Sequence, residues 1–269
     1  MAKSGALAQG EAEGKRHRRI RSFVKREGRL TPGQSRALAA LGERYLLTPD
    51  ATPIRWSDAF ATARCSEKHD SAGRAPDFAP AAGLNAGDVV LEIGFGDGAS
   101  LARQAARDPQ RHFLGVEVHR PGVGHLLIEA ERLELDNLRV VEQDAVEVIA
   151  RLAPASLGGV QVLFPDPWHK KRHHKRRLIQ PEFLIRLAAV VRAGGYLHLA
   201  TDWADYAEHM QQALAEVATL WRPEGGQPLA SRPLWRAETK FERRGLRLGH
   251  EVADFVYRRR TDGDSASSA

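Results

Sequence analysis

A chain of 269 residues that is 42% hydrophobic is long enough for one large domain with its own core, which excludes a small disulfide-stapled fold. The single cysteine, Cys65, cannot form an internal disulfide bond, and this favours a reducing compartment. The N-terminus is polar, and the apolar runs are much shorter than the roughly 20 residues of a membrane helix. We therefore expect a soluble, cytoplasmic protein with no membrane partner.

The net charge of +6 is confined to two short segments. Lys15–Arg29 contains eight basic residues and one acid, and Phe164–Arg177 contains six basic residues and one acid. The rest of the chain has 26 basic and 32 acidic residues, so the body is acidic. Confined positive charge is typical of a phosphate-binding surface, although Lys15–Arg29 could equally be a solvated or disordered arm.

The composition divides the chain into four parts. Residues 1–19 and 261–269 have the composition of disordered tails. Residues 20–87 are predicted to form a basic N-terminal arm and a connection rich in Ala, Gly and Pro, with one short helix over Gln34–Leu41. Residues 88–260 are predicted to form the main domain.

Within this domain, short apolar runs alternate with helix-forming segments. The predicted strands are Val89–Ile93, His112–Val118, Leu138–Glu142, Val160–Phe164 and Gly195–Thr201. The predicted helices are Ser100–Arg107, Gly124–Leu135, Ala145–Leu152, Pro181–Arg192 and Trp203–Leu220. This alternation predicts an α/β fold with a doubly wound, mostly parallel sheet. The last two apolar segments, Thr239–Arg244 and Val252–Tyr257, have no helix between them and predict an antiparallel edge pair.

In such a sheet, ligands bind beyond the carboxyl ends of the strands. The turn after the first strand contains Gly94, Gly96 and Gly98, and it follows Glu92 closely. Glycine lets the backbone approach a ligand and adopt positive φ angles. With Ala99 these glycines also match the dinucleotide pattern G-x-G-x-x-A, so a nicotinamide cofactor and a turn without a ligand are alternatives.

Acidic residues follow the second and third predicted strands. Glu117 can accept hydrogen bonds from both hydroxyls of a ribose. Asp144 can accept one from the exocyclic amine of an adenine, but it can equally cap the helix that begins at Ala145. These residues indicate a nucleoside ligand without identifying it.

The turn after the fourth strand is the most informative. Pro165 and Pro167 restrict the backbone on both sides of Asp166, and Trp168 and six cations follow. Cations bind phosphates and an aromatic ring can stack on a base, so this segment favours a nucleic-acid enzyme. The histidines of this segment suggest a metal site as an alternative, but the neighbouring cations would oppose a divalent ion, and we expect no metal.

These motifs resemble those of the bacterial tRNA (guanine-N7-)-methyltransferase family, which has a Rossmann-like fold and uses S-adenosyl-L-methionine. The resemblance spans about Arg19 to Tyr257. It rests on Arg21–Val24 with Gly28–Thr31, Glu92–Gly98, Gly115–Gly124, Phe164–His173, Ala200–Trp203, and Thr239–Gly245 with His250. The resemblance implies transfer of a methyl group to a guanosine in the variable loop of tRNA. The sequence leaves a monomer and a homodimer as alternatives.

The resemblance also implies a role for individual residues. Those implied to contact S-adenosylmethionine are Glu92, Gly94, Gly96, Gly98, Glu117, Asp144 and Asp166, and Asp166 is also the catalytic acid at the point of methyl transfer. Those implied to contact the substrate are Lys170, Asp202, Thr239, Lys240, Phe241 and Glu242. Those implied to lie against the RNA are Arg172, His173, His174, Lys175, Arg176 and Arg177.

The chemistry of guanine fits this set of carboxylates. N7 has a lone pair and no proton, so its methylation needs no strong base, and the product carries a new positive charge that carboxylates can stabilise. Three alternative functions are a nicotinamide-dependent oxidoreductase, a tRNA-binding protein without catalysis, and a methyltransferase for the exocyclic amine of a base. The last usually has a small polar residue and an aromatic in the loop where this chain has Asp166 and a basic run.

Overall fold

The computed structural model describes residues 23, 28–48, 54–60, 88–236, 242, 251–261 and 263. The predicted N-terminal tail, the predicted C-terminal tail apart from Thr261 and Gly263, most of the connection before residue 88, and the predicted strand Thr239–Arg244 apart from Glu242 lie outside the described residues.

The described residues form one sheet flanked by helices. The strands are β1 (Val89–Ile93), β2 (His112–Val116), β3 (Leu138–Val141), β4 (Leu157–Leu163), β5 (Val191–Thr201), β6 (Trp221–Pro223) and β7 (Ala253–Arg259). The α-helices are α1 (Pro32–Tyr45), α2 (Trp56–Ala59), α3 (Ala99–Arg107), α4 (Arg120–Arg132), α5 (Ala145–Ile149), α6 (Pro181–Val190) and α7 (Ala204–Glu216). Two 3₁₀ helices cover Lys171–Arg176, called the basic helix below, and Glu224–Gly226.

The sheet has the order β3-β2-β1-β4-β5-β7-β6. Strands β1 to β5 are parallel, and β7 is antiparallel to both β5 and β6. The direction of winding therefore changes between β1 and β4, where doubly wound folds bind their ligands. The predicted fold class is confirmed: a doubly wound, mostly parallel α/β sheet with an antiparallel C-terminal strand.

Helices cover the sheet on both faces, which explains why the strands are almost continuously apolar. Every residue of β1 and of β4 is buried. Helices α1, α3 and α4 pack on one face, and α5, α6 and α7 pack on the other. No helix in the described part of the chain is long and apolar enough to span a bilayer.

Part of the predicted N-terminal arm packs against the sheet's helical layer. Thr31 and Gln34 form a capping box at the start of α1, and the Gln34 side chain donates a hydrogen bond of 3.0 Å to the carbonyl of Pro121. At the other end of α1, the Tyr45 hydroxyl donates to the carbonyl of Leu135 over 3.0 Å. Helix α1 is thereby fixed to both ends of α4.

Several elements differ from the sequence prediction: α2 was not predicted, β4 and β5 begin earlier than predicted, and α4 and β6 also differ. Helix α4 begins at Arg120 instead of Gly124, because Pro121 suits the first turn of a helix while two glycines lower the helix propensity of the same segment. Strand β6 was not predicted, since its residues adjoin the segment assigned to the helix Trp203–Leu220. It pairs with the outer side of β7, and its Pro223 is tolerated because β6 is an edge strand.

Candidate active site and nucleic-acid interface

The register of the sheet brings three loops together. Ile93 pairs with Val162, and Leu163 pairs with Ala200, so β1, β4 and β5 end side by side. The loops that follow these strands are the glycine turn (Gly94–Gly98), the Asp166 loop (residues 164–170) and the turn at Asp202. We call this side of the sheet the carboxyl edge.

The glycine turn leaves its backbone open to a ligand. Gly94, Gly96 and Gly98 have φ angles of +72°, +64° and +74°, which side chains rarely adopt. A Cβ at Gly94 would meet nothing within 4 Å, whereas one at Gly98 would lie 2.6 Å from the Cβ of Leu126. Glycine is therefore required at Gly94 because of the positive φ angle. At Gly98 it is required both by the positive φ angle and by the lack of space for a side chain.

Glu117 joins the second loop to the glycine turn. Its Oε1 accepts hydrogen bonds from the backbone amides of Val118 (2.7 Å) and His119 (2.9 Å), and its Oε2 accepts one from the amide of Gly96 (3.0 Å). A carboxylate has about four acceptor positions, so some capacity is left for a ligand. Contact with a ribose remains a prediction.

Glu92 is a buried acid at the foot of the glycine turn. It is 3% exposed, and its Oε2 has no hydrogen-bond partner among the described residues. Burial, and then the charges of Asp97 and Glu117, raise the pKa of Glu92 to about 8. A buried carboxyl oxygen without a partner, beside an open glycine turn, fits a ligand that brings its own positively charged donor.

Asp144 caps α5: its Oδ1 accepts a hydrogen bond of 3.0 Å from the amide of Val146. The capping role is confirmed, and contact with adenine remains a prediction. Asp144 also lines a cleft of about 220 Å³ together with Lys175, Arg176 and Arg186. The cleft therefore joins the end of β3 to the basic helix.

The Asp166 loop has a strained and anchored backbone. Phe164 and Trp168, on either side of the exposed Asp166, have φ angles of +52° and +48°. The buried Arg177 donates a hydrogen bond of 3.0 Å to the carbonyl of Pro167 and forms an ion pair with Asp205. The loop that carries Asp166 is thus tied to the start of α7.

Arg177 was predicted to lie against the RNA, and the structure places it differently from its neighbours. It is 3% exposed, and its guanidinium lies 4.8 Å from the centre of the Tyr206 ring. Its polar contacts are with Asp205, Pro167 and His174. In this structure Arg177 supports the Asp166 loop from inside the protein.

The other predicted RNA-binding residues surround the loop at the surface. Arg172 and Lys175 are exposed, as is the predicted substrate contact Lys170. Arg176 is half-buried, with its guanidinium 3.8 Å from the centre of the Trp168 ring and its Nη2 3.4 Å from the carbonyl oxygen of Phe23. The first described part of the N-terminal arm therefore reaches the basic helix.

The histidines of this region are packed against other groups. The ring of His173 lies 5.9 Å from that of Trp168, and the ring of His169 lies 4.2 Å from that of Trp203. Desolvation and the nearby Arg and Lys side chains lower the pKa of His173. Over the described ranges, no three His, Cys, Asp or Glu side chains are arranged to hold a metal ion.

The remaining predicted substrate contacts divide into two groups. Asp202 is half-buried after β5, and Glu242 is buried beside the guanidinium of Arg236. Thr239, Lys240 and Phe241 lie outside the described residues. Arg236 was not among the site residues predicted from the sequence, although it lies only a few residues before the Thr239–Gly245 motif.

Comparison with known proteins gives a consistent result. A family model described as "Putative methyltransferase" matches residues 86–255. A tRNA (guanine-N(7)-)-methyltransferase of Alkalilimnicola ehrlichii is 52% identical over 93% of this chain and 95% of that protein. One of Halorhodospira halophila is 51% identical over 91% of this chain and 97% of that protein. Among solved structures, a 16S rRNA (adenine(1408)-N(1))-methyltransferase of Catenulisporales acidiphilia is 17% identical, with a TM-score of 0.49, and the match covers 81% of this chain and 98% of that one.

Proposed function

This chain belongs to the tRNA (guanine-N(7)-)-methyltransferase family, and from that premise we propose how its residues carry out the family's reaction. The chain transfers the methyl group of S-adenosylmethionine to N7 of a guanine in tRNA. The modified guanine lies in the variable loop, and the enzyme works in the cytoplasm, where its tRNA partner is found. The observation that supports this assignment of residues is the adjacency of the glycine turn to the Asp166 loop and the basic helix.

The residues around the glycine turn fit S-adenosylmethionine, which supplies a methyl group on a positively charged sulfur. Glu92, which is buried and whose Oε2 has no partner in the described part of the chain, receives the donor's amino group. The backbone of the turn follows the donor, Glu117 holds the ribose hydroxyls, and Asp144 receives the adenine amine. Each of these side chains stands at the end of a neighbouring parallel strand.

Asp166 acts on the guanine. Its carboxylate aligns the base for attack by N7 and faces the positive charge that develops on the purine. Asp202 and Glu242 accept hydrogen bonds from N1–H and the 2-amino group of the same base. The strained backbone at Phe164 and Trp168, together with the anchor at Arg177, keeps Asp166 in one orientation before the substrate arrives.

The function has a direct assay. The protein is incubated with labelled S-adenosylmethionine and total tRNA, and the product is treated with borohydride and aniline, which cut only at 7-methylguanosine. We expect label in tRNA and scission in the variable loop. Label without scission would indicate methylation of an exocyclic amine, and tRNA binding without label would indicate a binding protein.

The raised pKa of Glu92 predicts proton release on binding of the donor. With a pKa of about 8, this carboxyl is mostly protonated at pH 7, and a positively charged ligand favours its ionised form. Calorimetry at pH 7 in buffers of different ionisation enthalpy should show release of close to one proton. Glu92→Gln should abolish that release; equal release by both proteins would contradict the assignment.

The same shift affects the stability of the unliganded protein. The folded-state pKa of Glu92 lies above the ordinary glutamate value of 4.5, so the protonated form is favoured in the fold. This group therefore makes the fold less stable as pH rises from about 4.5 to about 8. The melting temperature of Glu92→Gln should therefore depend less on pH over this range than that of the wild type. Melting curves recorded at a series of pH values can measure this difference.

The exposed cations of the basic helix should contribute to tRNA affinity through phosphate contacts. Lys175→Gln, and separately Arg172→Gln, should weaken binding and reduce the slope of log K against log salt by about one unit. Arg132→Gln is the matched control, because Arg132 is a surface arginine at the far end of α4. If the slope is unchanged in both test variants, tRNA does not bind at the basic helix.

A further inference from the structure

A buried ionic cluster lies behind the predicted substrate contact Glu242. The side chain of Arg236 is 0% exposed, and its guanidinium donates hydrogen bonds to both carboxylate oxygens of Glu242, the longer being 3.0 Å. Its Nη2 also donates to Oδ2 of Asp254 over 2.9 Å. One guanidinium thus holds two buried carboxylates at the same time.

The sheet fixes this cluster from one side. Asp254 is near the start of β7 and pairs with Ala200 at the end of β5, so its backbone position is set by the central sheet. His198, also on β5, lies with its Nε2 2.7 Å from Oδ1 of Asp254. Since a carboxylate only accepts hydrogen bonds, Nε2 carries the hydrogen, and the side chain of Asp254 is held between His198 and Arg236.

His198 is neutral in this arrangement. Complete burial lowers the pKa of His198 despite the attraction of Asp254. The histidine therefore acts as a fixed hydrogen-bond donor, and the fork of Arg236 supplies positive charge directly to Glu242. A second arginine, Arg232, is 45% exposed and approaches Glu242 only to 3.8 Å.

The cluster also adjoins the Asp166 loop. The guanidinium of Arg236 lies 5.8 Å from the centre of the Phe164 ring, and the amide of Phe164 donates to the carbonyl of Ala200 over 2.8 Å. Phe164 is the first residue of the loop. Arg236 is thus in contact with the two parts of the chain to which the proposed function assigns the guanine.

We propose that Arg236 is a positioning residue for methyl transfer, and that it orients the carboxylate of Glu242 toward the guanine while Asp254 keeps Arg236 in place. The inference rests on the proposed role of Glu242. A planar fork with two parallel hydrogen bonds fixes the plane of a carboxylate, whereas a lysine ammonium holds it as a point charge without a defined orientation. Positive charge alone is therefore not sufficient for the role of Arg236.

The test is Arg236→Lys, which keeps the charge and removes the fork. We expect kcat/KM for tRNA to fall at least tenfold while the affinity for S-adenosylmethionine stays within twofold of wild type. Arg258→Lys is the matched control, because Arg258 is also buried and forms a fork with Glu224 but lies toward the other end of β7. It should lower the melting temperature to a similar extent without the kinetic loss.

Double-mutant kinetics separate this inference from the proposed function. If Arg236 acts through Glu242, Arg236→Lys combined with Glu242→Gln should be no slower than Glu242→Gln alone. Full activity of Glu242→Gln would refute the substrate role of Glu242. A large loss in Glu242→Gln with kinetics of Arg236→Lys equal to those of Arg258→Lys would overturn only the role of Arg236.

If Arg236→Lys does not fold, a second variant tests the same proposal. Asp254→Asn keeps the volume of the side chain and weakens the support of Arg236 from the opposite side. With melting temperature and donor affinity measured in parallel, it should lower kcat/KM for tRNA in the same direction as Arg236→Lys. Unchanged kinetics in a folded Asp254→Asn protein would overturn the proposal.

Discussion

Replacing Asp166 by alanine should reduce the rate of guanine methylation by a factor of about 100 or more, while the affinity for S-adenosylmethionine stays near wild type. Loss of one preorganised electrostatic group at a reaction centre typically costs about 100- to 1000-fold in kcat. Asp166 is exposed on an anchored loop, so its removal leaves the core intact. The measurements are kcat with saturating tRNA and donor, and donor affinity by calorimetry.

A second exposed carboxylate is the control for this experiment. Glu182 is exposed in the first turn of α6 and lines the cleft that also contains Lys175. Glu182→Ala should leave kcat within about threefold of wild type, since a surface carboxylate away from the reacting atoms has little effect on the chemical step. Turnover by Asp166→Ala equal to that of Glu182→Ala would mean that Asp166 only shapes the loop.

The second large effect is expected from Gly122→Ala in the first turn of α4. A Cβ at Gly122 would lie 2.0 Å from the carbonyl oxygen of Gly96 and 3.1 Å from its carbonyl carbon. Both are backbone atoms of the glycine turn, so the clash must displace either α4 or the turn. Overpacking of this kind costs about 1–3 kcal/mol. Because the displaced atoms belong to the donor site, we expect S-adenosylmethionine to bind about 10- to 100-fold more weakly.

Gly124→Ala is a control in the same helix. A Cβ at Gly124 would approach the Cβ of Gln34 to 2.9 Å and its Cα to 3.3 Å, so the strain falls on the contact between α4 and α1. This variant should lower the melting temperature and leave donor affinity within about threefold of wild type. If the two variants lose donor affinity equally, any disturbance of α4 weakens donor binding. The contact between Gly122 and Gly96 would then have no specific role.

Periodicity predicted the sheet well because its central strands are buried on both faces. Val89–Ile93 and Gly195–Thr201 are apolar in sequence for that reason, and both lie in strands of the structure. The three residues of β6 lack such a signal, since an edge strand is stabilised mainly by its neighbour β7. The start of α4 was also misplaced, because its glycines serve tight packing against Gly96 and Gln34 and not local helix propensity.

The site could be predicted in part for a topological reason. Residues that directly follow parallel strands must meet at the carboxyl edge, so the hydrogen bond between Glu117 and the glycine turn, and the adjacency of β1 and β4, agree with the strand pattern. The pattern cannot distinguish an arginine on the surface from one buried beneath a loop, and Arg177 was therefore grouped with its exposed neighbours. The pairing of Arg236 with Asp254 arises only when β7 returns beside β5.

A crystal structure of the protein with S-adenosylmethionine and guanosine bound is the most direct test of the central claim. The donor should lie along the glycine turn with its methyl group toward Asp166, the guanine should contact the Asp166 carboxylate, and the basic helix should flank the same opening. A donor bound elsewhere, or an Asp166 side chain directed away from the methyl group with the basic helix on the opposite side, would contradict the account.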